Sequence, residues 1–312
     1  MKTDYFFILQ MLPVTSLPRV LWQHIASWLQ GDKAIIRLRA TCRWLRRVEI
    51  HQLPRCMECS LTAERLQSVA SVRHLNIRCL KDITNKMIQD VFQPGTSRQV
   101  GTLEWLDVAW TNVAWFPSTL RHLGIYGRED VTNEMIKNCT RLEWLNASHT
   151  NVTWFPSTLR HLDIYNRWDV TNEMIQSCTR LEWLDASHTN ITLFPSSLRH
   201  LDLRGRKDVT NEMIQDVFQQ VGTRLEWLNV SWTNVTWFSR TLRHLNIGGN
   251  KNVTNEMLQD SFGQGNLEWM DARDTTITWF PSTLRHLHIW NRTDVTNEML
   301  AHLKDCKIIR EK

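Results

Sequence analysis

The sequence predicts an α/β solenoid of alternating short and long repeats, preceded by a small all-α module. Three observations carry that reading. Two related phrases, LEWL and TLRHL, alternate along the chain. The first begins at Leu103, Leu142, Leu181, Leu225 and Leu267; the second has its leading apolar residue at Val72, Leu120, Leu159, Leu198, Leu242 and Leu284. Self-similarity of this kind marks units that bury a hydrophobic face only by stacking on their neighbours. Both phrases read LxxLxL, and apolar side chains at positions 4 and 6 give the period of two of a short strand with one buried face. Before residue 70 the repeats are absent and apolar residues recur at helical spacing instead.

Composition bounds the function. A 312-residue chain with 42% hydrophobic residues can bury sizeable cores, which excludes a disordered or collagen-like protein. Lys and Arg number 37 against 32 Asp and Glu, and the excess sits before residue 71, with balance thereafter. A balanced repeat region argues against nucleic-acid binding, which needs a clustered basic face. Seven cysteines, an odd number at uneven spacing, fit a reducing compartment better than a disulfide framework. Cys56 and Cys59 form a CxxC without a second pair, so no metal site is expected. No apolar run reaches the ~18 residues that span a bilayer, and Asp4 interrupts what would be the basic start of a signal peptide. The expectation is a cytoplasmic or nuclear protein without cofactor or membrane contact. Eight NxS/T sequons arise from the repeated TNVT and LNxS phrases; two of them, Asn146 and Asn229, fall on the face proposed below for binding.

Residues 1–12 read as a leader and residues 13–56 as the helical module. Leu17, Val20, Leu21, Ile25, Trp28 and Leu29 recur at three- and four-residue intervals; Gly31-Asp32 breaks the run before Ile35, Leu38, Cys42 and Leu45. The segment resembles the F-box, with Leu17-Pro18 at its start, then Val20, Leu21, Ile25, Trp28-Leu29, Ile35 and Leu38, and Arg39, Cys42, Arg43, Trp44 and Arg46 in its closing stretch. Trp44 directly follows Arg43, where family members often have one more residue. The resemblance implies that Leu17, Pro18, Val20, Leu21, Ile25, Trp28, Leu29, Ile35, Leu38 and Trp44 bind a Skp-family adaptor and, through it, a cullin complex. The competing reading is that this segment only caps the solenoid. Residues 57–71 form a connector.

Residues 72–312 hold the repeats, which resemble leucine-rich repeats: a horseshoe whose concave parallel sheet takes one strand from each unit, eleven in all. The LEWL units are each 17 residues (103 to 120, 142 to 159, 181 to 198, 225 to 242, 267 to 284), and the RHL units span 22 to 31. In the long units Val170-Thr171-Asn172-Glu173-Met174-Ile175 predicts an outer helix with Thr as N-cap and Glu in the first turn. In the short units Trp154-Phe155-Pro156 opposes one. Insertions confined to the long units should lengthen the helix or its loop without disturbing strand register. The long units are similar to the cysteine-containing subtype, but its cysteine place holds Arg128, Arg167, Arg206, Asn250 and Arg292. Two residues on stand Asp130, Asp169, Asp208, Asn252 and Asp294, so an Arg–Asp pair, turned partly to solvent, is expected at the strand exit.

If positions 4 and 6 point inward, positions 3 and 5 face outward. Position 3 then alternates His and Trp, which accounts for much of the count of sixteen tryptophans, and position 5 is mostly Asp or Asn. The candidate partner-binding residues are His122, Trp144, His161, Asp163, Trp183, Asp185, His200, Asp202, Trp227 and His244, because exposed aromatics make good anchors. The alternative is that the rings stack only to stabilise the sheet. Position 2 alternates Arg and Glu, which should pair across strands. A motif copied in every unit supplies no unique nucleophile or pocket, so an enzyme is not expected. The F-box layout implies a substrate receptor of an SCF-type ubiquitin ligase, monomeric within a hetero-complex, whose repeats hold an unknown protein substrate. The rival is a leucine-rich-repeat scaffold or recognition protein unrelated to ubiquitin.

Overall fold

A computed structural model describes residues 73–93, 102–221, 224–290 and 292–310. The F-box-like residues 13–56, the connector 57–71 and Cys56 and Cys59 lie outside the described residues. The rest fall into two compact units. The first contains β1 (His74–Asn76), α1 (Asn85–Phe92) and β2 (Trp105–Asp107), and its two strands run parallel with Leu75 opposite Leu106.

The second unit comprises Val108–Trp110 and the chain from Phe116 onward. Its strands are β3 (His122–Gly124), β4 (Trp144–Asn146), β5 (His161–Asp163), β6 (Trp183–Asp185), β7 (His200–Asp202), β8 (Trp227–Asn229), β9 (His244–Asn246), β10 (Trp269–Asp271), β11 (His286–His288) and β12 (Lys307–Ile309). Its helices are α2 (Asn133–Ile136), α3 (Asn172–Gln176), α4 (Asn211–Val221), α5 (Asn255–Phe262) and α6 (Asn297–Leu300). The strands pair in parallel and in chain order, each position of one phrase opposite the same position of the next. Every strand expected from the phrases forms at positions 3 to 5. The expectation of eleven needs one correction: β12 carries neither phrase, yet Lys307 N–H bonds Arg285 C=O at 2.7 Å and Ile309 C=O accepts from Ile289 N–H at 3.1 Å. Backbone groups left open at β11 are paired whatever the side chains are.

The core follows the phrase. Position 4 is fully buried at Leu123, Leu145, Leu162, Leu184, Leu201, Leu228, Leu245, Met270 and Leu287, as is position 6 from Ile125 to Ile289. Substituting one such leucine with alanine costs about 2–5 kcal/mol. The chain then turns through a left-handed residue at position 8 in both repeat kinds. The residues concerned include Trp110, His149, His188, Trp232 and Asp274 in short units, and Gly127, Asn166, Gly205 and Gly249 in long ones. Glycine in the long units answers a close approach as well as a positive φ: a Cβ on Gly249 would stand 2.4 Å from the Trp232 ring, and one on Gly127 2.7 Å from Trp110.

The outer side separates the two repeat kinds as expected. Helices occur only in long units among the described residues, and the insertions do lengthen them. The 22-residue units at 120 and 159 carry helices of 4 and 5 residues, and the longer unit at 198 carries one of 11. Thr84, Thr254 and Thr296 accept the N–H of Met87, Met257 and Met299 at 3.4 Å. Thr171, Thr254 and Thr296 also donate their hydroxyls to Glu173, Glu256 and Glu298, holding those carboxyls below their ordinary range. In the short units the Trp-Phe-Pro step buries the phenylalanine (Phe116, Phe155, Phe280) and ends in a turn, with Leu159 N–H on Pro156 C=O at 3.1 Å.

Two side chains of the long units at 120, 159, 198 and 242 join them to their short neighbours. The helix asparagine reaches forward: Asn133 Oδ1 accepts Thr153 N–H at 2.9 Å and Trp154 N–H at 3.1 Å, and its amide donates to Thr153 Oγ1 at 2.9 Å. Asn172, Asn211 and Asn255 repeat this on Thr192, Thr236 and Thr278. The strand-exit arginine reaches back. Arg167 donates to Ala147 C=O (3.1 Å), Thr150 Oγ1 (2.8 Å) and Val152 C=O (2.8 Å), and closes a two-point pair on Asp169 at 2.7 Å. The expected pair therefore forms, but its orientation differs: the Arg167 side chain is 2% exposed and only the Asp169 carboxylate, at 51%, meets solvent. The guanidinium is drawn inward by backbone acceptors of the helix-less short unit, supplying a donor to Val152 C=O and a second donor to Ala147 C=O, which also accepts the Thr150 hydroxyl at 2.8 Å. Where the arginine is Asn250, its amide donates to Val235 C=O at 2.6 Å and its side-chain oxygen accepts Asn252 N–H at 3.2 Å. The paired change from Arg and Asp to Asn and Asn thus keeps the backward bond.

Candidate functional site

All ten residues proposed for partner binding lie on the sheet face opposite the apolar core, in register on β3 to β9. Their surroundings differ by row. The rings at position 3 are half-buried and their spacing is uneven. His161 and Trp183 stack at 3.7 Å and 5° and Trp144 lies on the other side of His161 at 5.1 Å, while His122–Trp144 and His200–Trp227 open to 6.4 and 6.3 Å with tilted planes. Burial, reinforced by His122 and His200, pushes His161 down to about 3, and burial also lowers His200 and His244. These imidazoles are neutral at pH 7 and lend the face no positive charge.

Position 5 is less open than its alternation with position 4 suggested. Asp185, Asp202, Asn229 and Asp271 are buried, and the row is hydrogen-bonded along its length. Asn146 donates to Asp163 Oδ2 and Asn229 to Asp202 Oδ2, each at 2.9 Å. The hydroxyls of Ser148 and Ser187 donate to Asp163 (2.5 Å) and Asp202 (2.8 Å). Asp163, Asp185, Asp202 and Asn229 each also accept the N–H two residues on, as Asp163 does from Tyr165 at 3.0 Å. Asp185 has carboxylates on both sides, since it lies opposite Asp163 and Asp202. Burial and then those two neighbours raise it to about 7, and burial raises Asp163 as well. Position 2 behaves as expected: Arg121–Glu143 (2.5 Å), Arg160–Glu182, Arg199–Glu226 (3.1 Å) and Arg243–Glu268 (3.0 Å) form exposed ion pairs along the ladder.

A second aromatic row was missed by reading only as far as position 6. Trp110, Tyr126, His149, Tyr165 and His188 are in ring contact in sequence, with centroids 5.7, 5.2, 5.5 and 5.5 Å apart. They stand at positions 7 and 8, the former in long units and the latter in short ones. The row was available as an alternation of aromatic residues just past each strand. Together the two aromatic rows flank the polar row on one face. Among the described residues no cluster of His, Cys, Asp and Glu could hold a metal ion, and burial pushes the Cys139 and Cys178 thiols up to about 12 and about 11.

A family model described as Leucine Rich Repeat matches residues 180–201, which contain β6 and β7. The fold is that of leucine-rich-repeat proteins. Solved structures agree: the chain is 14% identical to the protein in a TLR13–ssRNA13 complex, with a TM-score of 0.54, covering 78% of this chain and 43% of that one. It is also 14% identical to the protein in the Toll–Spatzle complex of Drosophila, with a TM-score of 0.51, covering 80% and 38%. The chain thus spans less than half the length of either. At such identities the likeness is one of fold. No curated protein matches the sequence. No helix among the described residues is long and apolar enough to cross a membrane.

Proposed function

We propose that this leucine-rich-repeat chain is a protein-recognition subunit, and more narrowly the substrate receptor of an SCF-type ubiquitin ligase. The repeat face supports the first part. It presents two rows of partly exposed rings flanking a polar row on a parallel sheet, and aromatic side chains on a fixed frame are the usual anchors of a protein interface. The F-box-like order of Leu17-Pro18, Val20-Leu21, Ile25, Trp28-Leu29, Ile35, Leu38 and Trp44 directly before the repeats supports the second. In this reading residues 13–56 bind a Skp-family adaptor, residues 72–312 hold the substrate, and ubiquitin transfer takes place on other chains of the complex.

The test is affinity capture of the full-length tagged chain from its own cells, beside a variant carrying Leu17→Ala, Pro18→Ala and Leu21→Ala. Recovery of an adaptor and a cullin by the parent and not by the variant is the expected result. Equal recovery by both, or by neither, removes the ubiquitin link and leaves a leucine-rich-repeat scaffold.

A further inference from the structure

The second aromatic row takes no part in the core. Trp110, Tyr126, His149, Tyr165 and His188 touch in sequence, and neighbouring planes cross at 58 to 85°, so the row is corrugated rather than flat. Trp110 is exposed and the other four are half-buried. Asn166 widens the row: its amide contacts His149 Nδ1 at 3.3 Å and its oxygen accepts from Trp168 Nε1 at 3.3 Å, which sets Trp168, 57% exposed, on the border. The sheet fixes the period of the corrugation. One long and one short unit occupy two strand spacings, about 9.6 Å, and from Tyr126 to His188 each such pair offers one tyrosine and one histidine. A polyproline II helix has three residues per turn and advances about 9.3 Å, so it falls out of step by only about 0.3 Å per pair. A partner strand, repeating every ~6.8 Å, keeps no such step. A docked α-helix needs an apolar groove, whereas this row is bordered by the hydrogen-bonded polar side chains of position 5. The charge facing solvent beside the row is negative. Arg128 and Arg167 are buried and bond inward, while their partners Asp130 and Asp169 are 61% and 51% exposed and Glu129 is exposed. No other Lys or Arg stands at positions 7 to 11 of these units.

We infer that the row from Trp110 to His188 docks a proline-rich segment of a protein partner, in the polyproline II conformation and lying across the strands, with basic residues flanking its prolines. This rests on the reading of the repeats as a protein-recognition surface and names the chemistry selected there. Each turn of the segment spans one pair of units, so a proline of every turn packs on the rings, as prolines do in other aromatic-lined sites. A polyproline II helix satisfies none of its own carbonyls; the tyrosine hydroxyls and the Trp110 indole N–H are the donors on this row. The flanking cations are drawn to Glu129, Asp130 and Asp169.

The probe is a capped peptide of three Pro-Pro-Ser triplets with an arginine at each end. It is compared with versions carrying glycine or alanine in place of proline, and glutamate in place of arginine. Binding to the full-length chain is measured by calorimetry at neutral pH and low salt. The glycine and alanine peptides are expected to bind at least about tenfold more weakly, because they must be ordered on binding. The glutamate peptide should bind about fivefold more weakly, a difference that shrinks with added salt. Tyr165→Ala and His149→Ala should each lower the affinity of the proline peptide at least about fivefold. Trp154→Ala, in the Trp-Phe-Pro step away from the sheet face, should leave it unchanged. The comparison of peptides on the parent chain needs no variant and stands even if one of these fails to fold. Equal affinities for the proline and glycine peptides, tighter binding of the alanine or the glutamate peptide, failure of all four to bind, or an unaltered affinity in both folded ring variants would each overturn the inference. The adaptor capture described above reads residues 13–56 and is independent. Its failure with peptide binding retained would count against the ligase reading alone.

Discussion

In the long repeats at 120, 159 and 198 the chain pairs arginine with a carboxylate twice, and the two uses differ in weight. At the strand exit Arg167 is almost wholly enclosed and spends its other donors on two carbonyls and a hydroxyl of the preceding unit. On the face, Arg160 meets Glu182 with both side chains about half exposed. Proximity of opposite charge is therefore a poor guide to its worth. The first pair replaces backbone hydrogen bonds that a helix-less unit leaves open; the second exchanges hydration for an attraction that water screens.

Substitutions can sharpen this contrast. The largest expected effect is from Arg167→Ala, which takes the guanidinium donor from Val152 C=O in the interior and leaves Ala147 C=O to the Thr150 hydroxyl alone; a loss of about 3–5 kcal/mol is expected in denaturant unfolding. A change below about 1 kcal/mol would place the corner with the surface pairs. Next comes Asn172→Ala, which frees the Thr192 and Leu193 N–H groups at a more exposed site; about 1–2 kcal/mol is expected in the same assay. The smallest is the Arg160–Glu182 pair, for which a double-mutant cycle with alanine should give about 0.2–1 kcal/mol, falling with added salt.

The polar row adds a pH signature. Asp185 is raised in the folded state, so folded protein holds an extra proton between its unfolded value near 3.8 and about 7. Stability conferred by that proton is present at low pH and lost as pH rises through this window. His161 is lowered, so its effect has the opposite sense: stability is lost as pH falls below about 6.5. Melting temperatures of the parent and Asp185→Asn, taken at pH 5 and pH 8, separate them. The variant should gain relative to the parent at pH 8 and less, or not at all, at pH 5. An identical difference at both pH values would show that Asp185 does not titrate in this range.

Much of the fold was legible because its determinants are local and repeated. LxxLxL fixes which residues enter the core, proline removes the helix from the short units, and threonine followed by glutamate starts it in the long ones. Strand positions, register and the Arg–Asp pairing all followed. The inward turn of Arg167 did not, since it depends on which carbonyls of a neighbouring unit lack partners, a property of two units together. Burial of Asp185 and Asp202 was hidden for the same reason: alternation tells which way a side chain leaves the strand, but not that serines two residues past the strand ends fold back over the row. The second aromatic row was visible as a pattern, yet its meaning depends on the left-handed turn that brings positions 7 and 8 into line.

The asparagine that reaches forward and the arginine that reaches back have a consequence for how such an array can grow. Both belong to the long unit, and the short unit supplies only the groups they grip. A duplication that copied a short unit alone would place two side by side, and each of them would lack the clamp on the flank they share. Copying a short–long pair restores both contacts at the new junctions. The pair is thus the smallest module that can be inserted or removed without leaving a seam, and an engineered array of different length should be cut in whole pairs.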